Sequence, residues 1–379
     1  MVRFRETFGE FCLPIEVHAA GFERFDRPVE VNLNFTQMFD FASCARVDLN
    51  SLRVIEVNGE GDIVDMSISF QFDNGPDFHP LTQVAGQLVF ILSSPTTADG
   101  CRRFQVCFST GECSLPFPIP KQVEARTVED EGQESFEIAT QNATFFYHKF
   151  GAGFSSMVDK DGNDWIGYHP WGGSDGKFRG IPNLVHPEGY FHPGETGCTS
   201  EIVCQGPIRT QILSTSNDAL WACQWDIYPD FATLTILKGN KPYWFLYEGT
   251  PGGELDLEND FVVRSSGKRT PATEPWEDDI PEPEWVYFGA ENTDRILYLV
   301  HHEDDEHVDS YRQMENNMTV FGFGRQGIKK HLDRVPEHFT IGFSECGDLA
   351  SVSETINSAF RPVRVRVQEV KPFKRSIGE

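Results

Sequence analysis

The side chains able to move protons gather in residues 164–200, DWIGYHPWGGSDGKFRGIPNLVHPEGYFHPGETGCTS, where His169, His186 and His192 stand beside Arg179, Glu188, Tyr190 and Glu195. Imidazole is the side chain whose ordinary titration range spans physiological pH, and a carboxylate or phenol next to it completes an acid–base pair. Trp165 and Trp171 flank the set. Flat indoles among short polar groups suit a ligand with one apolar face and a rim of hydroxyls, which is how a sugar presents itself. Each histidine here precedes a proline, so each could instead staple the loop by bonding a backbone carbonyl. Three in one stretch argue against all of them doing so.

Two further clusters carry chemistry. In LYLVHHEDDEHVDSYRQMENN an apolar strand ends at His301 and His302, where a rigid scaffold would expose side chains, and His302, Tyr311 and Arg312 are the candidates. The run from Glu303 to Glu306 reads as a solvated acidic loop. In YWFLYEGTPGGELD, Tyr243, Trp244 and Tyr247 alternate poorly with Phe245 and Leu246, so both faces of the strand should be covered. Glu248 enters the glycine-rich turn, either as an edge carboxylate bonded to that turn or as a general acid or base. No metal is assigned, because neither the His301 cluster nor Asp159-Lys-Asp-Gly162 has a ligand spacing that defines one. No cofactor is expected: the chain lacks a P-loop, a Rossmann glycine pattern, a G-x-S-x-G elbow and an H-E-x-x-H pair.

The elements that must position these groups are strands. In residues 1–126, Val29, Val31 and Leu33 alternate with Glu30 and Asn32, and Met66, Ile68, Phe70 and Phe72 with Ser67, Ser69 and Gln71. VIEVNGEGDIV holds a hairpin turn, and QLVFIL and RRFQVCFS add two strands, which together make a β-sandwich of immunoglobulin size. Residues 127–135, rich in Glu and Asp, read as a solvated linker, with a charged hairpin inside one domain as the alternative. From 136 to 379 at least ten strand candidates follow, with one helix in DLASVSETINSAF, capped by Asp348 and ended by Pro362. The fold class is therefore all-β: an N-terminal sandwich, then a large antiparallel two-sheet sandwich with one short C-terminal helix.

Composition narrows the partners. The formal charge of −26, from 58 acidic against 32 basic residues, disfavours nucleic acid and anionic membrane surfaces by repulsion. An anionic ligand would need a local basic pocket. No apolar run reaches membrane-spanning length and MVRFRETFGEF lacks a signal core, so the chain reads as cytoplasmic, or as secreted after removal of a signal. The nine cysteines match no zinc pattern and read as buried or half-buried free thiols, with Cys101 to Cys113 as the one alternative pairing. The Pro- and acid-rich TPATEPWEDDIPEPEW is a surface lid or a subunit contact, the latter making a homo-oligomer.

The phrase FGAGFSSMVDKDGNDWI, a glycine-aromatic strand feeding a D-x-x-G-x-D hairpin, resembles the opening of galactose-mutarotase-like supersandwich domains. The resemblance covers about residues 134–370 and implies a carbohydrate-active enzyme, in first place a polysaccharide lyase cleaving a uronic-acid-containing glycan by β-elimination, with a glycoside hydrolase or an aldose epimerase as the alternative. In the lyase reading His192 or His186 is the base, Tyr190 the acid, and Arg179 neutralises a uronate carboxylate. In the epimerase or hydrolase reading a histidine pairs with Glu248 or Glu195, and the chain's negative charge favours this one. A non-catalytic glycan-binding protein is the alternative outside enzymology. Trp171, Trp244, Tyr311 and Arg312 are the expected substrate contacts, and His192 and His302 are expected in one cleft with Trp171 or Trp244 as its platform.

Overall fold

The computed structural model describes residues 8–38, 47–111, 116, 118–167, 180–188, 190–314, 317–345 and 347–373. The chain divides into two units, one of residues 1–121, 206–208 and 357–379, the other of 122–205 and 209–356. Both are built from antiparallel strands, as the period-two patterns require.

In the first unit Phe11–His18 pairs with Cys101–Thr110, which pairs with Val47–Val57. Arg27–Asn34, Ala85–Leu92 and Phe70–Asn74 form a second sheet. Val29, Val31 and Leu33 are buried with Leu88, Phe90, Phe104 and Val106 in the shared core, which is the face their alternation selects. The hairpin after Val57 is held by Asn58, whose side-chain oxygen accepts the N–H groups of Glu60 and Asp62. The strand of the second alternating run starts only at Phe70, and Met66 is exposed.

Two boundaries differ from the sequence expectation. The acidic stretch 127–135 is a hairpin between Val123–Asp130 and Gln133–Thr140, with Glu131 and Gly132 at positive φ. Its charges lie on strands whose other residues, such as Phe136 and Ile138, reach the core. The second domain does not run to 379: Arg364–Val367 and Lys371–Pro372 both pair with Phe11–His18 in the first unit.

The second unit has a nine-stranded sheet, running from Cys198–Gln205 at one edge to Arg269–Pro271 at the other, and two four-stranded sheets. One of the latter is Phe245–Gly249, Met318–Phe323, Asp309–Met314 and Trp276–Asp278. All three sheets contribute to a single aromatic-rich core that includes Phe154, Trp165, Trp225, Tyr247, Phe288 and Phe321. Residues 159–164 form a turn, in which Asp159 accepts the N–H groups of Asp161 and Asn163 and the indole N–H of Trp165. The helix is Leu349–Phe360, with Asp348 accepting the Ser351 N–H at its start. No helix among the described residues is long and apolar enough to cross a membrane. Six cysteines are described and none of them forms a disulfide; Cys113, the candidate partner of Cys101, lies outside the described residues.

Candidate functional site

Strand Phe245–Gly249 lies at the edge of its four-stranded sheet and pairs with Met318–Phe323. Alternation splits its side chains. Tyr243, Phe245 and Tyr247 point to the core, where Phe245 stacks on Phe339 and the Tyr247 hydroxyl donates to the Trp165 carbonyl. Trp244, Leu246 and Glu248, on the other phase, line a pocket of about 390 Å³. The same rule acts two strands away: Tyr311 is buried, while Arg312 and Met314 line the pocket. The floor is therefore the outer face of this sheet, and its volume lies within the range of about 300–1,000 Å³ usual for small-molecule sites.

A second wall comes from residues 180–195. Gly180, Asn183 and Leu184 bond the backbone of Glu248, Leu246 and Trp244, so the segment runs along the free edge of the strand. That places His186, Glu188, His192 and Glu195 over the floor. The third wall is the tight hairpin Arg325–Gln326 with Lys329–Lys330, which contributes Arg325, Gly327 and Ile328.

His192 is the most constrained of these groups. Its N–H donates to the Gly151 carbonyl at 2.7 Å, its Nδ1–H donates to the Pro193 carbonyl at 2.9 Å, and its Nε2 lies 2.8 Å from Glu248 Oε2. Both ring nitrogens therefore face acceptors, the Pro193 carbonyl on one side and the Glu248 carboxylate on the other. The turn after His192 is fixed by a second histidine. Gly194 N–H donates to His148 Nδ1, and His148 Nε2 lies 3.1 Å from Asp130. Burial raises the Asp130 carboxyl, but hydrogen bonds from His148 and Ser155 outweigh it and hold it below its ordinary value. Asp130 belongs to the stretch expected to be solvated linker, and no local sequence signal tied it to residue 194.

Glutamates and arginines complete the lining. Glu188 pairs with Lys241 and lies 3.9 Å from Lys330; burial raises its carboxyl, and these cations bring it below its usual value. Glu248 Oε1 and the His186 ring make no hydrogen bond to a described residue. Trp244 is 4% exposed, with the Lys330 ammonium 4.7 Å and the Arg325 guanidinium 5.7 Å from its ring centre.

Of the candidates drawn from the sequence, His186, His192, Glu248, Trp244 and Arg312 meet in this pocket. Three do not. Tyr190 is half-buried against the core beside Phe191 and is not in the lining. Tyr311 is a core residue whose hydroxyl donates to the Ala272 carbonyl, because it sits one residue out of phase with Arg312. His302 follows a strand of the nine-stranded sheet, bonds Thr340 at 2.8 Å and lies against His338, away from the lining that His192 joins. Trp171, Arg179 and His169 lie outside the described residues. The sequence reading missed Arg325 and Asn183, which only the fold brings to the pocket.

His301 organises a separate buried network. Its Nδ1 is 2.6 Å from Glu284 and its Nε2 3.0 Å from Glu337. Burial opposes its charge, but the two carboxylates outweigh burial and push it up to about 10. The ligand atoms of Glu284, His301 and Asp305 lie within 4.8 Å of one another, as a metal site would require. The Glu284 and Glu337 carboxylates flank the imidazole on both sides, which makes an internal ion pair when the ring is protonated. The run expected to be solvated is only partly so: Glu303 is half-buried and bonds both the ring and the N–H of His338.

No protein-family model matches the sequence, and no curated protein matches it. Among solved structures the chain is similar to an alpha-mannosidase from Enterococcus faecalis V583, at 12% identity and a TM-score of 0.49 over 94% of this chain. The chain spans 46% of the length of that mannosidase. It is also similar to HI1317, at 10% identity and a TM-score of 0.43 over 61% of this chain and 99% of that one. A candidate mutarotase, YeaD from Salmonella typhimurium, aligns at 10% identity and a TM-score of 0.40 over 60% of this chain and 97% of that one.

Proposed function

We propose that the chain is a carbohydrate-active enzyme that interconverts the anomers of a small sugar by proton transfer in this pocket. The observation that carries the reading is the His192–Glu248 pair, largely shielded from water inside a cavity of about 390 Å³. Glu248 Oε1 takes the proton of the anomeric hydroxyl while the His186 imidazole protonates the ring oxygen. The C1–O5 bond breaks, an open-chain aldehyde forms, and the reverse transfers close the ring on its other face. His192 touches no reacting atom in this scheme: its two hydrogen bonds fix the Glu248 carboxylate and its charge. Met314, Met318, Val320 and Leu246 supply apolar contact for the sugar's C–H face, and Asn183 and Glu195 supply partners for hydroxyls.

The β-elimination alternative has less support. Its acid, Tyr190, stands outside the lining, and its neutralising group, Arg179, lies outside the described residues. Exchange spectroscopy by NMR on an aldose panel tests the proposal. Wild-type protein should accelerate α-to-β exchange, and Glu248→Gln should lower the rate by about 10²–10⁴-fold, the usual contribution of a positioned acid or base. Exchange that proceeds equally in Glu248→Gln, or not at all in the wild type, rejects it. Ultraviolet-absorbing products from uronate polymers would decide for elimination instead.

A further inference from the structure

Arg312 and Arg325 line the same pocket from different walls, and neither forms an ion pair with a described carboxylate. Arg312 is exposed on the sheet face. Arg325 is 5% exposed; its Nε–H donates to the Gly327 carbonyl at 3.3 Å, and its Nη1 has no hydrogen-bond partner. Burying a guanidinium with donors unmet costs free energy, and a second cation nearby adds to it. Burial, and after it the Arg312 charge, lower Arg325 to about 10. The charges of Glu248 and Glu277 oppose this only in part, and neither carboxylate forms an ion pair with Arg325. Glu188 is taken by Lys241, Glu248 by His192, and Glu195 pairs with neither arginine. In a chain with 26 more acidic than basic charges, two arginines left without carboxylates in one small pocket stand out, since surplus acid elsewhere could have paired them.

We infer that Arg312 and Arg325 form an oxyanion subsite, so that the sugar handled in this pocket carries a negatively charged substituent, a carboxylate or a phosphate. A guanidinium presents a planar fork of donors that matches either group, and the anion supplies the acceptors that the pair lacks. Bound there, it would also screen the two cations from each other. Trp244 lies beside the Arg325 guanidinium, which makes its fluorescence a direct report on occupancy. The inference rests on the proton-transfer reading only for the sugar; the subsite itself stands on the arginine geometry.

The test titrates wild-type protein and Arg312→Gln with glucose, glucuronate and glucose 6-phosphate, following tryptophan emission, with anomer exchange measured in parallel. Wild-type protein should bind at least one charged sugar about tenfold or more tightly than glucose, as charge-assisted hydrogen bonds allow. Arg312→Gln should lose most of that preference, and the better of glucuronate and glucose 6-phosphate tells carboxylate from phosphate. Equal binding of all three, no binding by any, or a preference unchanged in Arg312→Gln overturns the subsite. Glu248→Gln separates the two proposals: it should slow exchange by about 10²–10⁴-fold and keep the charge preference. If wild-type protein shows the preference without exchange, the subsite holds and the anomer reading falls.

Discussion

His301 shows what a single buried charge does to the stability of this protein. Its imidazolium sits between Glu284 and Glu337 at 1% exposure, and its titration is raised from an ordinary value of 6.5 to about 10. A base raised in the folded state contributes stability that is fully present below about pH 6.5 and drains away as pH climbs through about 10. The melting temperature should therefore fall between pH 7 and 10.5, and His301→Gln should flatten that fall. The same substitution leaves two carboxylates facing each other without a cation and should cost about 3–5 kcal/mol at pH 7. Denaturant unfolding measures the cost, and an alkaline slope equal in wild type and variant would show that another group titrates. At this scale the sequence was informative about residue type and mute about burial: His301 and His302 are neighbours, yet one is the centre of an ion network and the other bonds a threonine at a strand end.

Strand Phe245–Gly249 and the segment along its edge explain why part of the site was legible and part was not. The alternation of Tyr243, Phe245 and Tyr247 with Trp244, Leu246 and Glu248 was present in the sequence, and its phase alone would have assigned the second set to one face. Two covered faces were expected, and both are covered, one by core and one by the 180–195 segment. The same phase would have separated Tyr311 from Arg312. His302 was placed in the wrong group because a strand end signals exposure without saying which sheet the strand joins, and strand order is a non-local fact. The 180–195 segment depends on close backbone approach. A Cβ on Gly151 would stand 2.4 Å from the His192 carbonyl oxygen and 3.1 Å from Pro193 Cα. Gly151→Ala must push this turn aside, at about 1–3 kcal/mol, and with it the ring that fixes Glu248. The expected result is a lowered melting temperature together with loss of anomer exchange. A variant that is destabilised but exchanges at the wild-type rate would show that the turn does not position the pair.

Over the whole chain, the all-β class followed from local periodicity, whereas the way the chain returns on itself did not. The hairpin at 123–140 carries so many charges on its outer positions that composition masked the apolar phase of Phe136 and Ile138. The C-terminal strands are two to four residues long and half polar, with nothing local to say that Val365 and Val367 lie beside Val17 and Ile15. Arg24, fully buried, donates to the carbonyls of Ala19, Arg361 and Pro362 and, at 3.5 Å, to those of Asn357 and Ser358, which are left open in the last turn of the helix Leu349–Phe360. Removing residues 363–379 keeps those bonds and strips the strands that cover the edge of Phe11–His18, together with Val363, Val365, Val367, Val370 and Phe373, which pack on the hydrophobic clusters of the first unit. An uncovered edge exposes unpaired backbone groups and invites association between chains. The shortened chain should unfold at least about 5 °C earlier and sediment as concentration-dependent oligomers, a shift in keeping with the loss of one or two kcal/mol from a domain of this size. Anomer exchange should persist below that temperature, because every residue of the pocket lies between 183 and 328. Calorimetry and sedimentation velocity on the two chains decide the matter: matching melting profiles and a shared sedimentation coefficient would mean that the terminal strands do not close this edge in solution.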